Sequence, residues 1–237
     1  MRLLVTLLIA LLTTPAWAVT YDTTTSDQKS GSGTTLTQAH TVTAGGSNRA
    51  IFLACGLDSN TITLTATYAG EAMSEVRRDQ HGASGTSTWI FKKLAPATGA
   101  NNWIVTQSSA DNMICYAVSA TDVDQTTGTS QDTGSCPASG ATSISNAVTS
   151  AGDNDLVMDI VGIGNTGHTL VAGADQTERM NLTETTAYES AGSTQLGSIS
   201  GDAMSWTWTT SETACQSVVA IKHFVSGARP ISPIIFQ

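Results

Sequence analysis

The chain has 237 residues, a formal net charge of −9 and only 12% charged residues. A nucleic-acid partner is excluded. Binding phosphates takes concentrated Lys and Arg, and the only basic pairs here are Arg77-Arg78 and Lys92-Lys93, each inside strand-like sequence. Solubility must come from hydroxyls, with 38 Thr and 26 Ser in the chain, and β-branched Thr favours extended backbone while giving a polar, uncharged outer face.

In chain order, residues 1–18 read as a secretory signal peptide. A positive start at Met1-Arg2 is followed by an apolar run from Leu3 to Leu12 and a small-x-small site at Ala16-Trp17-Ala18. The run is about ten residues, half of the roughly twenty that span a bilayer as a helix, so cleavage before Val19 is expected and no membrane span is. Residues 19–33 are Thr, Ser, Asp and Gly with few large apolar residues, the composition of a flexible lead or an edge strand.

From residue 34 to 226 short apolar runs alternate with Gly, Asn, Asp and Ser, which predicts an all-β antiparallel β-sandwich. Strands are predicted at Ala50–Gly56, Thr61–Tyr68, Thr88–Leu94, Asn102–Gln107, Met113–Ala120, Leu156–Ile163, Met204–Thr209 and Ala214–Phe224. The clearest is Thr61–Tyr68, where Ile62, Leu64, Ala66 and Tyr68 alternate with threonines. Ala50–Cys55 is continuously apolar and Leu156–Val161 is broken only by Asp159, the pattern of strands covered on both faces. Residues 227–237 form a Pro-containing tail.

A faint duplication runs through this region. "TVTAGGSNRAIFLACG" from Thr41 matches "AVTSAGDNDLVMDIVG" from Ala147, and a weaker match sets Asp111–Val118 beside Ser211–Val218, placing Cys115 level with Cys215. It predicts two related Greek-key halves within one sandwich. Export permits disulfides among Cys55, Cys115, Cys136 and Cys215, with three connectivities open.

The segments "NRAI" from Asn48, "TYAGEAM" from Thr67, "TWIFKKLAPATG" from Thr88 and "VSATDVDQT" from Val118 together resemble an uncharacterised group of jelly-roll-like sandwich proteins of phage virions and bacterial secreted proteins. The resemblance covers roughly residues 48–126, implies a jelly-roll-like fold and carries over no catalytic residue. This chain departs from the pattern at Ala69, where Gly is usual, and in its four cysteines.

Candidate chemistry is sparse. His40, His81, His168 and His223 stand outside any H-E-x-x-H or nucleophile motif. Glu71 with Glu75, and Glu184 with Glu189, are the carboxylate pairs a sandwich glycosidase would use, against the plainer reading of a solvated face. Asp122-Val123-Asp124 and Asp153-Asn154-Asp155 offer oxygen ligands for calcium, against turn-forming Asx residues. Trp206 and Trp208, two apart on a predicted strand, and Trp89 are candidate binding residues that would stack sugar rings if exposed and form core if buried.

The expectation is therefore a non-enzymatic extracellular or virion-surface structural or attachment protein, with no cofactor. Its candidate partners are glycans, a surface or virion protein, or further copies of itself. The alternatives are a secreted carbohydrate-active enzyme on a jelly-roll scaffold and a self-assembling surface or filament subunit.

Overall fold

The computed structural model describes residues 17–29, 31–82, 85–138, 140–149, 152–184 and 188–226. Most of the predicted signal peptide and the whole 227–237 tail lie outside them. The fold is all-β: no helix occurs among the described residues. The first nine strands are β1 Thr20–Lys29, β2 Thr35–Val42, β3 Ala50–Leu57, β4 Leu64–Tyr68, β5 Glu71–Ala72, β6 Ser74–Gln80, β7 Ser87–Leu94, β8 Gly99–Gln107 and β9 Met113–Thr121. The remaining eight are β10 Thr129–Ser135, β11 Ala141–Val148, β12 Leu156–Ile163, β13 Val171–Ala172, β14 Thr177–Glu184, β15 Tyr188–Leu196, β16 Asp202–Glu212 and β17 Ala214–Ile221.

The expected duplication is present in the strand order. In the first half a five-stranded sheet runs β1-β9-β3-β7-β6 and a second sheet runs β2-β8-β4-β5; in the second half the corresponding orders are β10-β17-β12-β15-β14 and β11-β16-β13. Each half is thus a two-sheet sandwich in itself, where the sequence suggested two halves of one sandwich. The reason lies in the central strands. β3 and β12 are apolar on both faces, so a five-stranded sheet that has covered one face within its own half still has an apolar face to bury.

That second face forms the seam of the molecule. On β3, Ile51, Leu53, Cys55 and Leu57 point into the first half's own core with Trp89 and Trp103. The alternate residues Ala50, Phe52 and Ala54 meet Leu156, Met158 and Ile160 of β12, together with Tyr116, Tyr188 and Val219. Val161, Ile163, Trp206 and Trp208 fill the second half's core. The result is four layers, and across the seam β1 lies over β14 as β6 lies over β10, the reciprocal pattern of a two-fold axis within one chain.

Close approach at the seam depends on Gly56 and Gly162, which hold equivalent places in β3 and β12. A methyl group at either would collide with the hydroxyl of Tyr188, which sits between the two strands. β1 lies at the edge of its sheet and pairs with β9 from Thr20↔Thr121 to Lys29↔Met113.

The outer face of the β2-β8-β4-β5 sheet carries the hydroxyls that composition demanded. Thr35, Thr106 and Thr65 stand side by side across three strands, all exposed. Ala69 and Gly70 form the two-residue turn between β4 and β5, with φ of 52° and 80°. Positive φ at both positions is the hairpin geometry that favours glycine.

Candidate functional site

Two grooves flank the seam, related by the internal two-fold. The first, about 730 Å³, opens where β6 and β7 meet β10 and is lined by Ser74, Lys92, Lys93, Thr129, Ser130 and Asp132, among others. The second, about 500 Å³, opens where β14 and β15 meet β1; Tyr21, Thr177, Arg179, Thr194 and Gln195 line it. Each opens where the edge strand of one stacked sheet meets two strands of the other; the first is mainly polar, and the second also presents Val19, Tyr21, Leu156 and Leu196.

The first groove is held rigid by its own hydrogen bonds. Lys92 Nζ donates to the carbonyl of Thr127 and to Thr129 Oγ1 at 3.2 Å; burial lowers its pKa against the opposing charges of Asp132 and Asp124. Lys93 pairs with Glu71 at 2.6 Å. At the rim Arg77 forms a two-pronged bridge to Asp79, with contacts of 2.5 and 2.8 Å, and reaches Asp132 at 3.3 Å. The Asp79 hydrogen bond chiefly raises the arginine's pKa. Asp79 also accepts from Ser217 Oγ at 2.7 Å, tying the groove wall to the second half. In the second groove Arg179 stacks on Tyr21, with its guanidinium carbon 3.8 Å from the ring centre, and donates to Thr194 Oγ1 at 2.8 Å.

Beneath the first groove lies an arrangement absent from the sequence motifs. Asp155 accepts from Ser130 Oγ at 2.7 Å, from Gly152 N at 3.0 Å, and from His223 through both its backbone N at 2.9 Å and its ring Nδ1 at 2.7 Å. Burial raises the carboxyl's pKa, but these hydrogen bonds outweigh it and leave Asp155 below its ordinary value. Ser130 and His223 bind different oxygens of the carboxylate, so the hydroxyl is oriented by Asp155 and not by the imidazole, unlike a hydrolase relay.

The other sequence candidates are dispersed. Trp206, Trp208 and Trp89 are 0%, 5% and 1% exposed, so the sugar-stacking platform is corrected to core. Burial follows from register: β16 sends Met204, Trp206 and Trp208 to one face, and that face is turned inward. Trp103 and Trp206 occupy equivalent places in the two halves. Each places its indole N–H on a partner from the facing sheet, Thr25 Oγ1 at 3.2 Å and Asp159 Oδ2 at 2.7 Å. Asp159 lies wholly inside the second half and also accepts from Gln216 Nε2 at 2.7 Å and from Ser193 N and Oγ at 2.9 and 2.7 Å. Burial moves its pKa up to about 6 against these donors.

Glu71 and Glu75 are exposed and paired with Lys93 and Arg78. Glu184 and Glu189 are both buried, and Glu189 accepts from the backbone N–H of Gly167 at 2.7 Å and of His168 at 3.2 Å. Asp124 caps its own turn through Thr126 N and Thr127 N, at 3.0 and 2.7 Å, and Asp153 accepts from Ile199 N at 2.9 Å. The Asx reading thus describes Asp124, whereas Asp153 holds the backbone of a distant loop. Among the described residues no group of three or more His, Cys, Asp or Glu is arranged to hold a metal ion.

The cysteines pair as Cys55–Cys115, across β3 and β9, and Cys136–Cys215, across the end of β10 and β17. Each bridge stays within one half. Comparison with known protein families, with curated proteins and with solved structures finds no match to this chain.

Proposed function

We propose that the chain is an exported, non-enzymatic structural or attachment protein of a cell surface or virion, which contacts neutral glycans through the polar groove beside Lys92 and Thr129. The observation that carries this reading is the fastening of the molecule. Each half is closed by its own disulfide, and the halves are fused through a buried seam, a construction suited to an oxidising exterior and to bearing load. The signal-like start, the hydroxyl-rich outer sheet and the resemblance to virion and secreted sandwiches point the same way. The sheet order in both halves supports the jelly-roll reading.

The test is light scattering and glycan-array binding of residues 19–237 in oxidising buffer. Retention on neutral glycans that is lost in Thr129→Arg, which fills the groove, is the expected result. Release of new reducing ends would overturn the non-enzymatic reading, and absence of retention on every glycan would remove the groove's role. A defined large oligomer would assign the chain to a self-assembling subunit.

A further inference from the structure

Gln107 closes β8 and is 2% exposed. Its carbonyl oxygen receives two donors, Lys29 Nζ at 3.2 Å and the backbone N–H of Asp111 at 3.4 Å, while its amide nitrogen is enclosed with no acceptor. Rotating the amide would set its NH2 against two other donors, so the orientation is dictated by the neighbours. An enclosed amide nitrogen without a partner costs about 1–3 kcal/mol, which ordinary packing would select against.

A primary amine thus stands 3.2 Å from the oxygen of a primary amide, that oxygen also receives a backbone donor, and the amide nitrogen has no partner. Lys29 Nζ is kept in place by the Asp111 carbonyl at 2.9 Å. Burial lowers the lysine's pKa, opposed by the charge of Asp111, and so favours the neutral amine.

We propose that Lys29 and Gln107 join in an intramolecular isopeptide bond. The lone pair of the neutral Lys29 nitrogen adds to Cδ of Gln107, and the carbonyl π pair moves onto Oε1, where the Asp111 N–H receives the developing charge. The intermediate collapses with cleavage of the Cδ–Nε2 bond. The proton released from Lys29 passes to Nε2, and ammonia departs. No oxidant, reductant or cofactor enters the balance.

The place of the bond matches its use. β1 belongs to the five-stranded sheet and β8 to the sheet facing it, so the link staples the two layers of the first half at the far end of its edge strand. In the second half the equivalent strand, β10, is followed at once by Cys136, whose bridge to Cys215 fastens the same end. The inference stands apart from the glycan reading, which array binding tests separately.

The experiment is intact-mass measurement of the reduced, purified chain, followed by proteolysis and peptide mapping. The expected result is a mass lower by one ammonia than the amino-acid sequence of the purified species, together with a branched peptide joining Lys29 to Gln107. Lys29→Arg and Gln107→Ala should each restore the full mass. Recovery of both residues only in linear peptides overturns the proposal, as does an ammonia deficit located elsewhere, such as a succinimide at an asparagine. Should a variant fail to fold, the map of the unsubstituted chain decides alone.

Discussion

Single residues in this molecule carry strain and unmet hydrogen bonds that substitution can expose. Ala69 holds a φ of 52° in a turn built for glycine. Ala69→Gly should stabilise the fold by about 1 kcal/mol, read as a higher urea midpoint with unchanged slope. The Tyr188 hydroxyl is buried at the seam without a partner, so Tyr188→Phe should stabilise by about 1 kcal/mol and make Gly162→Ala less damaging than it is alone. Asp159→Ala acts in the opposite direction. It strands the donors of Trp206, Gln216 and Ser193 and should cost about 3–5 kcal/mol in the same assay.

The acids also set the pH response. The folded pKa of Asp58, about 6, lies above the ordinary carboxylate value near 4, so the folded state holds the extra proton in that window and stability falls as pH rises through it. Asp58→Asn should therefore gain about 1 kcal/mol at pH 7 and nothing at pH 4, a figure reduced for solvent around a half-buried carboxyl. His40, lowered to about 4 chiefly by burial, works in the other sense. It stays neutral in the fold, and stability is lost as pH falls from about 6.5 toward 4.

At the scale of elements, register decides what each strand contributes. The aligned openings of β3 and β12 were legible in the sequence, because Ala50 and Leu156 follow the same Val-Thr and Asn signals. The match of Cys115 to Cys215 was one residue out. Cys115 pairs with Cys55, whereas Val161, the equivalent of Cys55, pairs with Gln216. A slip of one reverses the face: Cys115 points into the first half's own core, and Cys215 reaches across the seam to the carbonyl of Thr86. The bridges close loops with sequence separations of 60 and 79 residues, each worth about 4 kcal/mol by loop-closure entropy. Replacing Cys55 and Cys115 by Ala should lower stability by about that amount without altering the strand content seen by circular dichroism.

For the whole molecule the seam is the organising contact. It buries Phe52, Ile90, Ile114 and Tyr116 of the first half against Leu156, Met158 and Ile160 of the second, so neither half is expected to remain a soluble monomer alone. Residues 19–122 expressed separately should self-associate through that face, as a dimer or larger species by light scattering; a stable monomer would show that the seam is dispensable. The intact chain should unfold in one cooperative transition by calorimetry, because each five-stranded sheet serves two cores at once.

The sequence by itself determined the strand class, the twice-covered central strands and the repeat, because period-two alternation, continuous apolar runs and turn residues are local properties of the chain. It left open which cysteines pair and whether Trp89, Trp206 and Trp208 face water or core, and it suggested one sandwich where the repeat builds two stacked ones. Those outcomes depend on which face of each sheet meets another layer. Only the tertiary structure sets that, since residues far apart in sequence, such as Phe52 with Ile160 or Lys29 with Gln107, must first be brought together.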